Sequence, residues 1–156
     1  MAIEKVREYF KKFGIEDKIQ EFSVSSATVE LAAQALGVDG ARIAKSMSFK
    51  IDDRAILIIA AGDARIDNRK YKDKFHTKAK MLTPEEVDMF IGHSIGGVCP
   101  FAVNDGVETF LDESLKRFET VFPACGSANS AIELTIPELE KYSLFTEWVD
   151  VCKLPE

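Results

Sequence analysis

Cysteine is scarce in this chain of 156 residues: there are three, Cys99, Cys125 and Cys152, none in a C-x-x-C pair. An odd number without paired spacing excludes a disulfide framework, and with only His76 and His93 as imidazoles a zinc cluster lacks ligands. The thiols are therefore read as reduced, and no metal or cofactor is expected. Long apolar runs are also missing. The longest nearly unbroken one, residues 55–62, is far short of the ~20 needed to span a bilayer. The opening MAIEKVREYFKK has no signal-peptide apolar stretch. The expectation is a cytoplasmic protein with no membrane partner. Neither an internal repeat nor a Gly/Ser/Pro-rich linker divides the chain, so a solenoid and a two-domain layout are unsupported. Biased tracts are absent and 46% of residues are hydrophobic, which excludes disorder. A single domain over residues 1–156 is expected, long enough to bury ~68–70% of the surface of its unfolded chain.

The net charge of -6 would speak against nucleic acid, whose phosphates need positive potential, if it were uniform, and no DNA partner is expected; but the charge is uneven. Residues 65–80 carry seven Lys/Arg against two acidic residues, whereas residues 81–156 carry four against fourteen. The basic stretch contains Arg65, Arg69, Lys70, Lys72, Lys74, Lys78 and Lys80, interleaved with Tyr71, Phe75 and His76. Such a segment could hold a phosphate backbone while an aromatic ring stacks on a base; the bland alternative is a solvated helix face.

Periodicity predicts the elements. Ile3, Val6, Phe10 and Phe13 at helical spacing imply a first helix over 2–13, stopped by Gly14. A second should run from an N-cap at Thr28 through VELAAQAL to Gly37. Then IAKSMSFKI alternates as a strand, with Ile43, Lys45, Met47, Phe49 and Ile51 on one face and Ala44, Ser46, Ser48 and Lys50 on the other. AILIIAA, apolar throughout, reads as a central strand, joined to the first by a hairpin turn at residues 52–54. Helices are expected near 67–75 and at TPEEVDMF, where Thr83, Pro84 and Glu86 form a capping box. Short strands are expected around 101–103 and 119–123. An alternating strand AIELTI should follow, with Ile132, Leu134 and Ile136 inward, then a helix after Pro137. Strands in runs with helices unevenly interposed indicate an α+β domain with a mixed sheet.

Two motifs are decoys. Gly92-His93-Ser94-Ile95-Gly96 has the form of a nucleophile elbow, but no histidine follows it to take the serine proton. The stretch from Gly40 to Ser46 looks faintly like a P-loop, yet it reads as strand rather than as a glycine loop opening a helix. Lys45 is harder to dismiss, because an ammonium on an apolar strand face must be paired, reach water or lose its proton. Either it snorkels to a sheet edge or it sits at the floor of a cleft. Gly96 and Gly97, followed by Val98, Cys99 and Pro100, could bring backbone N–H groups close to a carbonyl oxygen, or form an ordinary turn. The small polar run from Ala124 to Ser130 is a third candidate, or a plain loop.

Taken in order, TVELAAQALG from Thr28, IAKSMSFK from Ile43, ILIIAAGD, the loop GGVCPF from Gly96, DESL from Asp112 and FPACGSANSAIELTIPEL from Phe122 resemble the YbaK and prolyl-tRNA-synthetase editing-domain family. The resemblance implies a compact mixed α/β domain whose curled, barrel-like sheet, flanked by helices, encloses a small pocket. It further implies a trans-editing aminoacyl-tRNA deacylase acting on mischarged aminoacyl-tRNA, with a synthetase as a candidate partner and no covalent nucleophile. By that resemblance Lys45 is the residue on which activity depends most, and the backbone N–H groups near Gly96 and Gly97 meet the carbonyl oxygen. Thr28, Met47, Val98, Cys99 and Pro100 are expected to line the substrate pocket, together with Gly126, Ser127 and Asn129. Arg65, Arg69, Lys70, Lys72 and Lys74 are expected to contact the tRNA. Cys99 could instead be an inert core thiol. Asp112 reads as a helix N-cap rather than a catalytic group. Relatives that remove cysteine carry a carboxylate near the position of Ala131 and a tyrosine near Thr28. This chain has neither, which keeps alive a rival reading: a non-catalytic ligand- or tRNA-binding module on the same fold. The amino acid removed stays open.

Overall fold

A computed structural model describes residues 2–155. The amphipathic helix α1 (Ala2–Lys11) buries Val6 and Phe10 and is turned off at Gly14, followed by a two-residue strand β1 (Gln20–Glu21). Helix α2 (Val29–Leu36) starts where the Thr28 hydroxyl accepts the Leu31 N–H and stops at Gly37 in the left-handed conformation, as its sequence predicts. The hairpin also forms as expected: β2 (Ile43–Ile51) and β3 (Arg54–Ala61) pair antiparallel around a turn in which Asp52 takes φ 53°. A short β4 (Arg65–Ile66) leads into α3 (Asn68–Phe75), capped by Asp67. The single turn α4 (Pro84–Glu86) carries the predicted capping box between Thr83 and Glu86 and continues as a π-helical turn, Val87–Ile91.

The remaining elements are β5 (Glu108–Asp112), β6 (Thr120–Pro123), β7 (Ser130–Ala131), β8 (Leu134–Thr135), α5 (Ile136–Ser143), β9 (Glu147–Val149) and β10 (Cys152–Lys153). Six strands make a curled half-barrel in the order β8-β6-β2-β3-β5-β9; β6 runs parallel to β2, β5 to β3 and β9 to β5. Two small antiparallel pairs, β1 with β7 and β4 with β10, form separate two-stranded sheets. The mixed α/β architecture and its curled sheet match the expectation. At its centre β3 is buried from Ala55 to Ala61. Asp112 is the predicted N-cap: one carboxylate oxygen accepts from the Ser114 N–H at 2.9 Å and the other from Val151 N–H at 3.0 Å.

Three expectations are corrected. Residues 101–103 form no strand, because Ala102 turns left-handed at φ 54° and the Phe101 carbonyl is taken by the His93 ring at 2.7 Å. AIELTI is not one strand either. Its ends pair with different partners, β7 with β1 and β8 with β6, and a capping box between Thr135 and Glu138 starts α5 at Ile136. Finally, of the three rings in the basic segment, Tyr71 is fully buried against Phe49 and is not available to a base, and Phe75 is partly buried against Tyr71 and Phe110, while His76 is exposed.

Candidate functional site

Strand β2 changes neighbour along its outer edge. At Ile43 and Ala44 it pairs with β6, while further on the Leu82 N–H reaches Ser48 O at 3.2 Å and the Lys50 N–H reaches Lys80 O at 2.8 Å. Between these contacts the edge is open. A cavity of about 270 Å³ occupies the gap, just under the ~300–1,000 Å³ usual for small-molecule pockets. Its walls come from distant segments: Ser26 to Val29 and Ala32 beside α2, Ile43 to Ser46 and Ser48 on β2, Met81, Leu82 and Val87, the loop residues Ile95, Gly96 and Val98, and Phe122, Ala124, Ser130 and Ala131. Residues 20–28 are stitched to 128–131 by the β1–β7 pair and by Ser26 N–H to Ala128 O at 2.6 Å, which makes them one wall.

Because main-chain groups alternate along a strand, the residues whose peptide groups face Leu82 and Lys80 are the even-numbered ones. The N–H groups of Ser46 and Ser48 therefore also aim at the gap, and among the described residues neither meets an acceptor. Lys45 borders the same cavity. Register places it on one face with Met47 and Phe49, the alternation read from the sequence, while Ser46 and Ser48 take the other face. The Lys45 amine is half-buried and donates to Gly62 O at 3.3 Å and to Ala64 O. Gly62 can offer that carbonyl only because it has no side chain: a Cβ there would lie 2.0 Å from Gly40 O. Burial holds the lysine below its ordinary pKa; Cys152, Asp63 and Glu30 pull it back up by smaller amounts.

Of the residues singled out in the sequence, Thr28, Lys45, Gly96 and Val98 line the cavity, and Met47, Gly97, Cys99, Pro100, Gly126, Ser127 and Asn129 do not. Met47 shares the strand face of Lys45 but packs against the core. Gly97 acts one layer behind: a Cβ there would lie 2.6 Å from Ser127 N and 2.7 Å from Gly126 C, so the two loops touch backbone to backbone. Its N–H is committed to Ser94 O at 3.0 Å and is not free for a substrate. Gly96, at φ 95°, donates to nothing among the described residues. The Asn129 amide holds Phe22 O at 3.0 Å, and its own oxygen accepts from Ser127 Oγ. Cys99 is fully buried with its thiol against His93 and Phe101 O, and burial pushes its pKa up to about 12. The sequence reading passed over Ser26, Ser46, Ser48, Met81 and Ile95; the alternation that put Ser46 and Ser48 opposite Lys45 was the available signal.

The basic strip divides into two sets. Lys70 is spent on Asp150 at 3.0 Å and on Cys152 O, and Lys74 on Glu147. Arg69, Lys72 and Lys78 flank a shallow hollow with Asn68 and Ala79, and Arg65 is exposed on β4. Among the described residues no helix is long and apolar enough to cross a membrane.

Residues 24–142 match the family described as an aminoacyl-tRNA editing domain. The chain is 55% identical over 154 residues to the uncharacterized protein YwhH of Bacillus subtilis (strain 168), covering 98% of each. It is 27% identical over 125 residues to a proline–tRNA ligase of Geobacillus sp. (strain WCH70), covering 80% of this chain but 22% of that one. A solved structure of a candidate trans-editing enzyme for prolyl-tRNA synthetase superposes with a TM-score of 0.86 at 29% identity, covering 97% of both chains.

Proposed function

This chain belongs to the aminoacyl-tRNA editing domain family, and on that footing we propose that it hydrolyses the ester of a mischarged aminoacyl-tRNA in trans. The observation that carries the proposal is the open edge of β2, where Lys45, Ser46, Ser48 and Gly96 line one small cavity, the lysine amine anchored on Gly62 O and Ala64 O and the three other residues with unmatched N–H groups. An aminoacyl ester is already activated. Water adds to its carbonyl carbon, the acyl–oxygen bond to the ribose breaks, and the proton passes to the leaving ribose oxygen, yielding free amino acid and tRNA. The negative charge that gathers on the carbonyl oxygen needs fixed donors, each worth about 2.7–4 kcal/mol in such reactions. Lys45 supplies the positive potential and the N–H groups the direction. Gly97 supports the Gly96 loop against residues 126–127 and does not act as a donor.

A positioned water rather than a protein nucleophile fits the side chains present. The thiols of Cys99, Cys125 and Cys152 are held protonated by burial. Ser94, in the elbow-like motif, donates to Asp88 at 2.8 Å, and the His93 ring is occupied by Phe101 O; neither lines the cavity. The likeness to part of a proline–tRNA ligase supports tRNA charged by that synthetase as the substrate, with the synthetase a candidate partner. Arg65, Arg69 and Lys72 are assigned to the tRNA backbone; Lys70 and Lys74 hold the C-terminal strands instead. The test is a panel of mischarged tRNAs: release of amino acid from at least one member is expected. No turnover across the panel, with aminoacyl ligands still bound, would favour the non-catalytic module.

A further inference from the structure

We propose that the cavity selects an aminoacyl group with a short, uncharged, hydroxyl-bearing side chain, and that the hydroxyls of Ser26 and Ser46 are the groups that read it. This rests on the deacylase reading above. Ser26 is 7% exposed and Ser46 is half-buried; both Oγ atoms are shielded from water and neither has a hydrogen-bond partner. Buried hydroxyls without partners are rare because they forgo the bonds they would make in water. The serines beside them differ: Ser130 Oγ meets Ser127 Oγ at 2.7 Å, and Ser25 Oγ donates to Ala128 O; Tyr71 OH and Ser143 Oγ are also unpartnered but do not line the cavity.

Packing does not require oxygen at either place. The same walls are built from Ala27, Ala32, Ala44, Ala124 and Ala131, so alanine would suit them. The two serines come from separate elements, the loop before α2 and the middle of β2, and both line the same cavity, with their hydroxyls turned off its open surface. A serine hydroxyl moves between three staggered positions by rotation about one bond, so each can turn to a group seated there. Such a group must be polar to satisfy them and uncharged to suit a cavity whose one ionisable lining side chain is Lys45. It must also be short, because Val29, Ile43 and Phe122 narrow a space of about 270 Å³. A hydroxyl both donates and accepts strongly, which a thiol does not.

The test compares deacylation of seryl-, threonyl-, alanyl-, cysteinyl- and valyl-tRNA by the full chain. Seryl or threonyl ester should exceed alanyl and cysteinyl ester by about tenfold or more in kcat/KM, since a site that bonds a substrate hydroxyl rejects analogues lacking it. Ser26→Ala and Ser46→Ala should each bring the seryl-to-alanyl ratio toward one without lowering the melting temperature. Alanyl or cysteinyl ester hydrolysed as fast as seryl by the unaltered protein, or a ratio unchanged in both variants, overturns the inference. If no tRNA in the panel is hydrolysed, the deacylase reading fails separately. Calorimetry with amide-linked seryl-adenosine and alanyl-adenosine then decides the inference: tighter seryl binding sustains it and equal binding refutes it.

Discussion

Replacing Lys45 with methionine keeps the aliphatic stem and removes only the amine. Two consequences can be sized. The carbonyls of Gly62 and Ala64 lose their donor, and Ala64 is fully buried, so stability should fall by about 1–3 kcal/mol. Relief from burying a charge offsets part of that, as the lowered lysine pKa requires. A domain of this kind has about 5–15 kcal/mol to lose, so even the worst case leaves only a few per cent unfolded. The rate should fall far more, by ~10²–10³, because a preorganised electrostatic group at a developing oxyanion is worth about 2.7–4 kcal/mol and ~1.4 kcal/mol is tenfold. The assay is single-turnover deacylation of mischarged tRNA beside a urea melt of the same preparation. The pH profile carries the same logic. A cationic lysine is active below its folded pKa, and that pKa is lowered from 10.5, so the enzymatic rate above background should decline before pH 10.5 is reached. A methionine variant within threefold of the parent rate, or a parent rate still climbing through that range after background subtraction, would refute the reasoning.

Three further outcomes are expected. Gly97→Ala places a Cβ within 2.6–2.8 Å of backbone atoms of Gly126 and Ser127; urea melts should show a loss of about 1–3 kcal/mol, and deacylation should drop as the Gly96 loop is displaced. His93 is 1% exposed and its pKa is lowered from 6.5 by burial, so below pH 6.5 the unfolded chain binds a proton that the folded one does not. Stability is therefore whole above pH 6.5 and is lost as pH falls from there through the folded pKa, at up to ~1.4 kcal/mol per pH unit; melts at pH 7.5 and 5.5 should differ, and His93→Gln should flatten the difference. RNA affinity should weaken with salt with a log–log slope of about -2 to -3 if Arg69, Lys72 and Arg65 each meet a phosphate; a flat dependence, or charge reversal at Arg69 and Lys72 without effect, would remove the basic face from the interface.

What could be read from residue order was mostly what local chemistry decides. Thr28, Thr83 and Asp112 announce their caps by side-chain type alone, and β2 and β3 declare themselves by alternation and by an unbroken apolar run. The family resemblance was equally legible, since it rests on the order of several weak motifs. Elements that owe their existence to distant partners were not. Strand β5 is extended because β3 and β9 flank it, and the split of residues 130–136 between two partners depends on where β1 and β6 lie. The site divides the same way. Lys45 stood out as a charge on an apolar face, but the gap at its strand edge exists only because β6 pairs at Ala44 and the segment at Leu82 pairs at Ser48. Gly97 drew notice as part of a glycine pair, yet the loop it touches is thirty residues away, so its supporting role was invisible.

Three of the five pairings within the half-barrel are parallel, and each ties together segments separated by a long excursion. No hairpin can zip such a sheet in order, and closure entropy must be met before the contacts repay it. The cavity inherits that history: its rim joins residues near 26 to residues near 131. A ribosome must therefore release the chain past residue 131 before the chamber exists, and a nascent chain stalled or truncated short of that point should show helix without any ability to distinguish one aminoacyl group from another.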